Sequence, residues 1–132
     1  MFEMQQVDKL STLQKGRCGE FRVISDLLKQ NKEVYTPTND QVNTDLVVFH
    51  KNSFKRIQIK TVGVYRNHSS VEVRMRSNKK NSHIDYVVIY LFHDDLIAYY
   101  PYNGEKCITL ALKTAKNNQE RVNWFYSYSE LI

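Results

Sequence analysis

Residues 45–62 read DLVVFHKNSFKRIQIKTV, and this stretch indicates the fold. Two apolar segments lie on either side of the turn-forming tripeptide Lys51-Asn52-Ser53, a pattern typical of a β-hairpin. Side chains alternate along a strand, so Gln58 and Lys60 point to one face while the isoleucines beside them point to the other. The hairpin therefore brings the Gln58–Lys60 face beside Asp45 at the start of its first strand.

A helix is predicted before the hairpin, from about Ser11 to Gln30. Ser11 followed by Gln14 reads as a capping box, in which each side chain satisfies a free N–H group at the helix start. Gly16 and Gly19 each cost about 1 kcal/mol against alanine, which suggests that another backbone approaches the helix closely. Apolar residues at helical spacing predict one buried stripe, made of Leu13, Phe21, Val23, Ile24, Leu27 and Leu28.

The remaining chain reads mainly as strands. Short strands are predicted at Val34–Thr36, Ser70–Met75, Asp85–Phe92 and Leu96–Tyr100. Asp85–Phe92 is almost continuously apolar, as expected of a central strand covered on both faces. One or two helices are predicted in the tail, within Ile108–Lys116 and Trp124–Ile132. The expected class is α/β, as an α+β fold with a central mixed β-sheet flanked by helices.

Composition is consistent with one globular domain covering residues 1–132. The chain is 42% hydrophobic and 25% charged, which argues against disorder. No apolar run is long enough to span a bilayer, and the first residues are unlike a signal peptide. Two cysteines are too few for a disulfide framework, so a reducing cytoplasm is the expected location.

Basic residues are concentrated in the centre of the chain. Between Lys51 and Lys80 there are nine Lys or Arg residues against one acidic residue, Glu72, so the rest of the chain is net acidic. Such a distribution favours binding to a polyanion such as a nucleic acid. The alternative interpretation is a charged, solvated face without a partner.

A candidate metal centre follows from four side chains. Asp45 and Glu20 are carboxylates at apolar positions, and burying such groups is costly unless they are paired or bind a metal. Asp45, the Gln58 side-chain oxygen and the Ile59 carbonyl would supply oxygen ligands to Mg²⁺, with Glu20 holding a metal-bound water or a second ion. Lys60 would orient or deprotonate the attacking water, or stabilise charge on a phosphate.

Each of these residues also has a plain structural interpretation. A lone aspartate at a strand start is usually a cap, and a strand lysine is usually an exposed edge charge. Glu20 would in that case pair with Lys15 or with Arg17 on the helix surface. Only the joint pattern, in this order and spacing, favours a catalytic centre.

The pattern resembles the PD-(D/E)XK nuclease superfamily. The similarity is carried by Asp45, by Gln58-Ile59-Lys60-Thr61 thirteen residues later, and by Glu20 on a preceding glycine-containing helix. It continues through Val73-Arg74-Met75-Arg76-Ser77 to Tyr99-Tyr100-Pro101, and covers roughly Leu13 to Tyr102. The branch that it resembles most contains bacterial homing endonucleases encoded in group I introns, which also carry Gln-x-Lys.

The resemblance implies Mg²⁺-dependent cleavage of double-stranded DNA by a symmetric homo-oligomer, a dimer or tetramer, with Glu20, Asp45, Gln58 and Lys60 as catalytic residues. Thr44 replaces the usual proline, which carries no ligand. Gln58 removes one negative charge from the metal site, so weaker metal binding is expected. Two alternatives stay open: a structure-selective nuclease of the Holliday junction resolvase type, and a nuclease-fold DNA-binding protein that no longer cuts.

DNA contacts are expected from two loops, Tyr65–Ser70 and Ser77–Ser82, and from the strand between them, because their side chains are of the types that contact phosphates and base edges. The candidate DNA-binding residues are Arg66, Asn67, His68, Arg74, Arg76, Ser77, Lys79 and Lys80. The four histidines lie near predicted turns without metal-ligand spacing, so they are expected at the surface.

Overall fold

Helix α1 spans Thr12–Lys29 and begins with the predicted capping box. The Gln14 N–H donates to the Ser11 hydroxyl oxygen at 3.2 Å, and the Ser11 N–H donates to the Gln14 Oε1 atom at 2.8 Å. After the helix, Asn31 adopts a positive φ of 60° and the chain turns into the sheet. The computed structural model describes residues 10–39, 43–64, 69–75, 83–113 and 122–132.

The buried side of α1 differs from the predicted stripe. Gly19, Val23 and Leu27 face the sheet. Leu13, Phe21 and Leu28 are largely exposed, so the prediction that they are buried was wrong. Two apolar rows lie side by side on this helix, and hydrophobic periodicity alone does not select between them. Gly19 allows the closest approach to the sheet, so the row that contains it is the buried one.

The central sheet is mixed, as predicted. It contains the strands β1 (Glu33–Tyr35), β2 (Leu46–His50), β3 (Ser53–Val62), β5 (Tyr86–Leu91) and β6 (Leu96–Pro101), while β4 (Ser70–Arg74) belongs to a second sheet. The strand order is β1-β2-β3-β5-β6, and β3 pairs in parallel with β5 while the other neighbours are antiparallel. All six residues of β5 are buried, which confirms its central position.

Strands β2 and β3 form the predicted hairpin. Lys51 and Asn52 both have positive φ values, 53° and 64°, and connect the strands in a two-residue turn. Turns of this kind match the right-handed twist of the flanking strands. The register pairs Phe49 with Phe54 at the turn and Leu46 with Ile57 at the other end, so β3 continues beyond the start of β2.

A second, two-stranded sheet covers the other face of the molecule. It pairs β4 (Ser70–Arg74) with β7 (Cys107–Ala111) in antiparallel fashion. The prediction of a helix beginning at Ile108 was therefore wrong. Burial alternates along β7, with Ile108 and Leu110 inward and their neighbours outward, which is the period of a strand. In the last segment, the helical structure is a short 3₁₀ helix at Phe125–Tyr128.

Two apolar cores lie on opposite faces of the central sheet. On one face, α1 packs through Val23 and Leu27 onto residues of β2, β3, β5 and β6. On the other face, β4, β7 and Phe125 pack onto alternate residues of β5. Among the described residues, no helix is both long and apolar enough to cross a membrane.

His50 departs from the expectation that the histidines lie at the surface. It is 7% exposed, and its ring lies edge-on to that of Tyr86 with the ring centroids 6.2 Å apart. Burial, with Lys32 adding to its effect, lowers the pKa of His50, so the ring is neutral at pH 7. His93 is exposed and His83 partly so, while His68 lies outside the described residues.

Polar contacts hold α1 in a defined position on the sheet. The Tyr99 hydroxyl and the Gln30 side-chain amide both donate to Asp26. The Arg22 guanidinium pairs with Asp95 at 2.9 Å, in the turn that joins β5 and β6. Because these contacts join the helix to two parts of the sheet, they restrict the position of every other α1 side chain, including Glu20.

Candidate functional site

Asp45 lies immediately before β2 and is held against β3 by two hydrogen bonds. Its N–H donates to the Ile57 carbonyl at 2.8 Å, and its Oδ2 atom accepts from the Ile59 N–H at 2.7 Å. The two bonds reach β3 on either side of Gln58. The carboxylate therefore lies beside Gln58, as the hairpin pattern predicted.

Gln58 carries an unusual polar atom. The residue is 8% exposed, and its Oε1 atom is buried without a hydrogen-bond partner in the described part of the chain. Buried oxygen atoms are normally paired, and an unpaired one costs about 1–3 kcal/mol. An oxygen in this condition, beside a carboxylate, suits a position where a cation binds.

Lys60 and Ile59 complete the β3 side of the site. Lys60 shares the Gln58 face of β3 and is half-buried, and its positive charge acts on Asp45. The Ile59 N–H points toward Asp45. In an extended strand, the N–H and C=O groups of one residue point toward the same neighbouring strand. The Ile59 carbonyl is thus directed to the Asp45 side, which is compatible with its predicted role as a metal ligand.

Glu20 reaches the site because α1 approaches β3 closely at the preceding residue. A Cβ atom added at Gly19 would lie 2.0 Å from the Thr61 Oγ1 atom and 3.3 Å from the Thr61 Cβ. The glycines predicted close approach of another backbone, but the atoms nearest an added Gly19 Cβ belong to the side chains of Thr61 and Tyr90. Gly16 has nothing within 4 Å of an added Cβ, so no neighbouring group requires a glycine at this position.

Electrostatics connects these groups. Burial raises the pKa of Asp45, against a hydrogen bond from the Ile59 N–H that lowers it. The charge of Glu20 raises the pKa of Asp45 further, while Lys60 lowers it. Two carboxylates that repel each other in a half-buried place lose part of that repulsion when a cation lies between them.

Glu20 also makes the surface contact that the alternative interpretation predicted. Its Oε2 atom accepts from the Arg17 Nη1 at 3.2 Å, one helical turn away. The Glu20 side chain is 32% exposed and that of Arg17 69% exposed. Glu20 is therefore both paired with Arg17 and close enough to Asp45 to act on its charge.

A cleft of about 450 Å³ opens beside the two carboxylates. One wall belongs to α1, and the other to the segment between β1 and β2 together with the start of β2. No sequence pattern indicates this cleft, because its walls lie about 20 residues apart in the chain and share no motif. The lining residues are Arg17, Glu20, Phe21, Ile24, Thr36, Pro37, Asn39, Thr44, Asp45 and Leu46.

The donor set suits a hard divalent cation. Within the described residues, no three His, Cys, Asp or Glu side chains come together as a metal site. Two carboxylates with an amide and a carbonyl oxygen nevertheless resemble Mg²⁺ sites, which use one or two carboxylates and retain several waters. The unpaired Gln58 oxygen is the observation that fits a metal here. The roles of Glu20, Asp45, Gln58, Ile59 and Lys60 stay predictions.

Most of the predicted DNA-binding residues lie outside the described residues. Arg74 is the exception, on the outer face of β4, where its guanidinium pairs with Glu72 at 3.3 Å. Its exposure leaves it accessible to a polyanion. The others are Arg66, Asn67, His68, Arg76, Ser77, Lys79 and Lys80.

The family to which the chain belongs is consistent with the geometry of this site. A model of the PD-(D/E)XK endonuclease family matches residues 10–131, so the chain belongs to that family. The match extends through the C-terminal tail, beyond the end of the sequence resemblance at Tyr102. Nucleases of this family generally use divalent metal ions. No curated protein sequence matches the chain significantly.

Two solved structures are similar to the chain to different degrees. The bacterial homing endonuclease I-Ssp6803I matches with a TM-score of 0.68 and 22% identity, over 89% of this chain and 86% of that chain. A Holliday junction resolvase from the archaeal hyperthermophile Archaeoglobus fulgidus matches with a TM-score of 0.49 and 15% identity, over 74% of this chain and 84% of that chain. At 22% identity, the likeness to the homing endonuclease shows that the fold is shared.

Proposed function

We propose that this protein is a Mg²⁺-dependent, site-specific endonuclease of double-stranded DNA. The observation that carries the proposal is the meeting of Asp45, Glu20 and Lys60 with the buried, unpaired Gln58 oxygen. Each group alone has a structural explanation. Together they form an oxygen-rich site with one lysine beside a cleft, which is the arrangement expected for phosphodiester hydrolysis.

The residues divide the chemistry between them. Asp45, Gln58 and the Ile59 carbonyl would hold the cation, and Glu20 would bind one of its waters or a second ion. When bound, Mg²⁺ polarises the scissile phosphate and lowers the pKa of a coordinated water. The Lys60 ammonium, on the Gln58 face of β3, orients the attacking water and stabilises negative charge on the phosphate. Half-burial of Asp45 strengthens these electrostatic effects.

DNA is proposed as the substrate on the basis of charge and fold. The segment from Lys51 to Lys80 contains nine basic residues against one acidic residue. Likeness to a homing endonuclease adds support for a duplex substrate and for site specificity. A homo-oligomer completes the proposal, because two centres can cut both strands at one place in a single encounter, and each chain has one such candidate among its described residues. The cytoplasm is proposed as its location because two cysteines are too few for a disulfide framework.

The test is cleavage of a supercoiled plasmid library and a four-way junction with Mg²⁺. Wild-type protein is expected to cut the duplex, while Asp45→Asn and Lys60→Met lower the rate about 100-fold or more, as loss of an electrostatic catalytic group does. Lys55→Met is the matched control, since Lys55 lies on the same strand but on the opposite face, and it should cut nearly as wild type does.

Three results would contradict the proposal. Preferential cutting of the junction would replace the duplex assignment with a resolvase. Duplex binding without cleavage by the wild type would indicate a nuclease-fold binding protein. Full activity in both active-site variants would place the catalytic centre elsewhere.

A further inference from the structure

Arg17 has a distinctive place in the cleft. Among the described residues that line it, Arg17 is the only one with a positive charge, and it shares the cleft with two carboxylates, Glu20 and Asp45. A phosphate that enters this cleft meets repulsion from both acids. A positively charged side chain in the cleft wall reduces that repulsion. The guanidinium of an arginine is well suited to this, because its planar N–H donors match the geometry of phosphate oxygens.

The present partner of Arg17 holds it weakly. One of its five N–H donors contacts Glu20, at 3.2 Å from Nη1 to Oε2, and the Arg17 side chain is 69% exposed. Ion pairs this exposed contribute little to stability, so the contact is easily exchanged for another. The Arg17 guanidinium can therefore leave Glu20 and bind another anion at little cost in stability.

Glu20 connects Arg17 to the metal site. The Glu20 carboxylate that accepts from Arg17 is also the one whose charge acts on Asp45. A divalent cation near the two acids and the Arg17 guanidinium therefore compete for the same negative charge. Occupation of the site by the cation weakens the hold of Glu20 on Arg17 and makes the guanidinium available to another anion.

We infer that Arg17 is a phosphate-binding residue that exchanges partners, pairing with Glu20 before the cation binds and with a DNA backbone phosphate in the cleft afterwards. The inference rests on the proposed function, because it assumes a DNA substrate and a divalent cation. The inference predicts opposite effects of an Arg17 substitution on DNA binding and on cation binding. Removing Arg17 should weaken DNA binding and strengthen cation binding to the DNA-free protein.

DNA binding is measured by fluorescence anisotropy of a labelled duplex, with Ca²⁺ in place of Mg²⁺. Arg17→Gln is expected to lower the affinity about 10-fold and to reduce the slope of log affinity against log salt by about 1, as loss of one phosphate contact does. Arg17→Lys should recover the slope but only part of the affinity, since lysine lacks the planar fork. Lys29→Gln, an exposed charge on the same helix that does not line the cleft, should behave nearly as wild type.

Cation binding is measured on the DNA-free protein by titration calorimetry with Ca²⁺. Arg17→Gln is expected to bind Ca²⁺ about 3-fold to 10-fold more tightly than wild type, because a competing positive charge is gone. A residue that only stabilised the helix would alter the melting temperature and leave both binding measurements unchanged.

The outcomes separate the inference from the proposed function. If wild type binds the duplex and Arg17→Gln binds it with the same affinity and salt slope, the Arg17 assignment is wrong and the nuclease proposal stands. If Ca²⁺ affinity does not rise in Arg17→Gln, the exchange of partners is wrong. If wild type binds no duplex at all, the inference and the proposed function both fail.

Discussion

At the scale of single residues, Asp45 shows a conflict between stability and the proposed function. Burial keeps the pKa of Asp45 above its ordinary value, so the folded chain holds this proton to a higher pH than the unfolded chain does. The unfolded chain then binds fewer protons, and the contribution to stability falls as pH rises from the unfolded pKa through the folded one. At neutral pH, without metal, the ionised carboxylate is destabilising.

Asp45→Asn should therefore stabilise the metal-free protein while abolishing cleavage. The amide oxygen still accepts from the Ile59 N–H, so the hydrogen bond of 2.7 Å is kept and the charge alone is lost. A gain on the order of 1 kcal/mol corresponds to a rise in melting temperature of roughly 3–5 °C at pH 7 for a chain of this size. Thermal melts in EDTA from pH 4 to pH 7 measure this, and the difference between the two proteins should shrink toward low pH.

Metal provides the control for that prediction. Ligands that bind only the folded state raise its stability, so Mg²⁺ should raise the melting temperature of wild type and have little effect on Asp45→Asn. A metal-free Asp45→Asn protein that melts below wild type at pH 7 would show that the carboxylate is a structural group.

At the scale of elements, the position of α1 on β3 depends on one glycine. Gly19→Ala would place a Cβ atom 2.0 Å from the Thr61 Oγ1 atom and 3.3 Å from the Thr61 Cβ, so the Thr61 side chain must rotate and the helix or the strand must shift by a few tenths of an ångström. Overpacking of this kind costs about 1–3 kcal/mol, more than the roughly 1 kcal/mol that alanine gains in helix propensity. Since Glu20 is the next residue, the displacement should also lower cleavage.

Gly16→Ala is the matched control, because an added Cβ there meets nothing within 4 Å. It should raise the free energy of unfolding by up to about 1 kcal/mol and leave cleavage unchanged. Urea unfolding of both variants measures the contrast, and adding Thr61→Ala to Gly19→Ala should restore part of the loss. Equal stabilisation by both alanines would mean that α1 does not approach β3 as described.

At the scale of the whole molecule, the proposed double-strand cut requires more than one chain. One chain presents one candidate centre among its described residues, and a symmetric pair presents one to each strand of the duplex. Hetero-oligomers that combine wild-type and Asp45→Asn chains, isolated through different affinity tags, should convert supercoiled plasmid mainly to nicked circles. Gel electrophoresis separates nicked from linear DNA, and sedimentation gives the number of chains.

A wild-type protein that sediments as a monomer on DNA and still yields linear plasmid directly would contradict this prediction. Equal production of linear DNA by mixed and wild-type oligomers would do so as well, because it would show that one intact centre cuts both strands.

Local sequence patterns were sufficient to predict the first helix, the hairpin and the order of the candidate site residues along the chain. The start of α1 follows from Ser11 and Gln14, three residues apart, and the β2–β3 hairpin from the turn at Lys51 and Asn52. The shared face of Gln58 and Lys60 follows from strand alternation alone. These features depend on neighbours a few residues away, so local pattern is sufficient to predict them.

Three features depend on contacts between distant parts of the chain. They are the burial of the Gly19 row of α1, the formation of a strand at Cys107–Ala111, and the lining of the cleft. A strand exists through its partner, and the partner of β7 is β4, more than 30 residues earlier in the chain. Likewise, Phe21 is exposed because the Gly19 side of the helix approaches Thr61 more closely. Burial and strand pairing depend on contacts between distant segments, and local periodicity carries no information about such contacts.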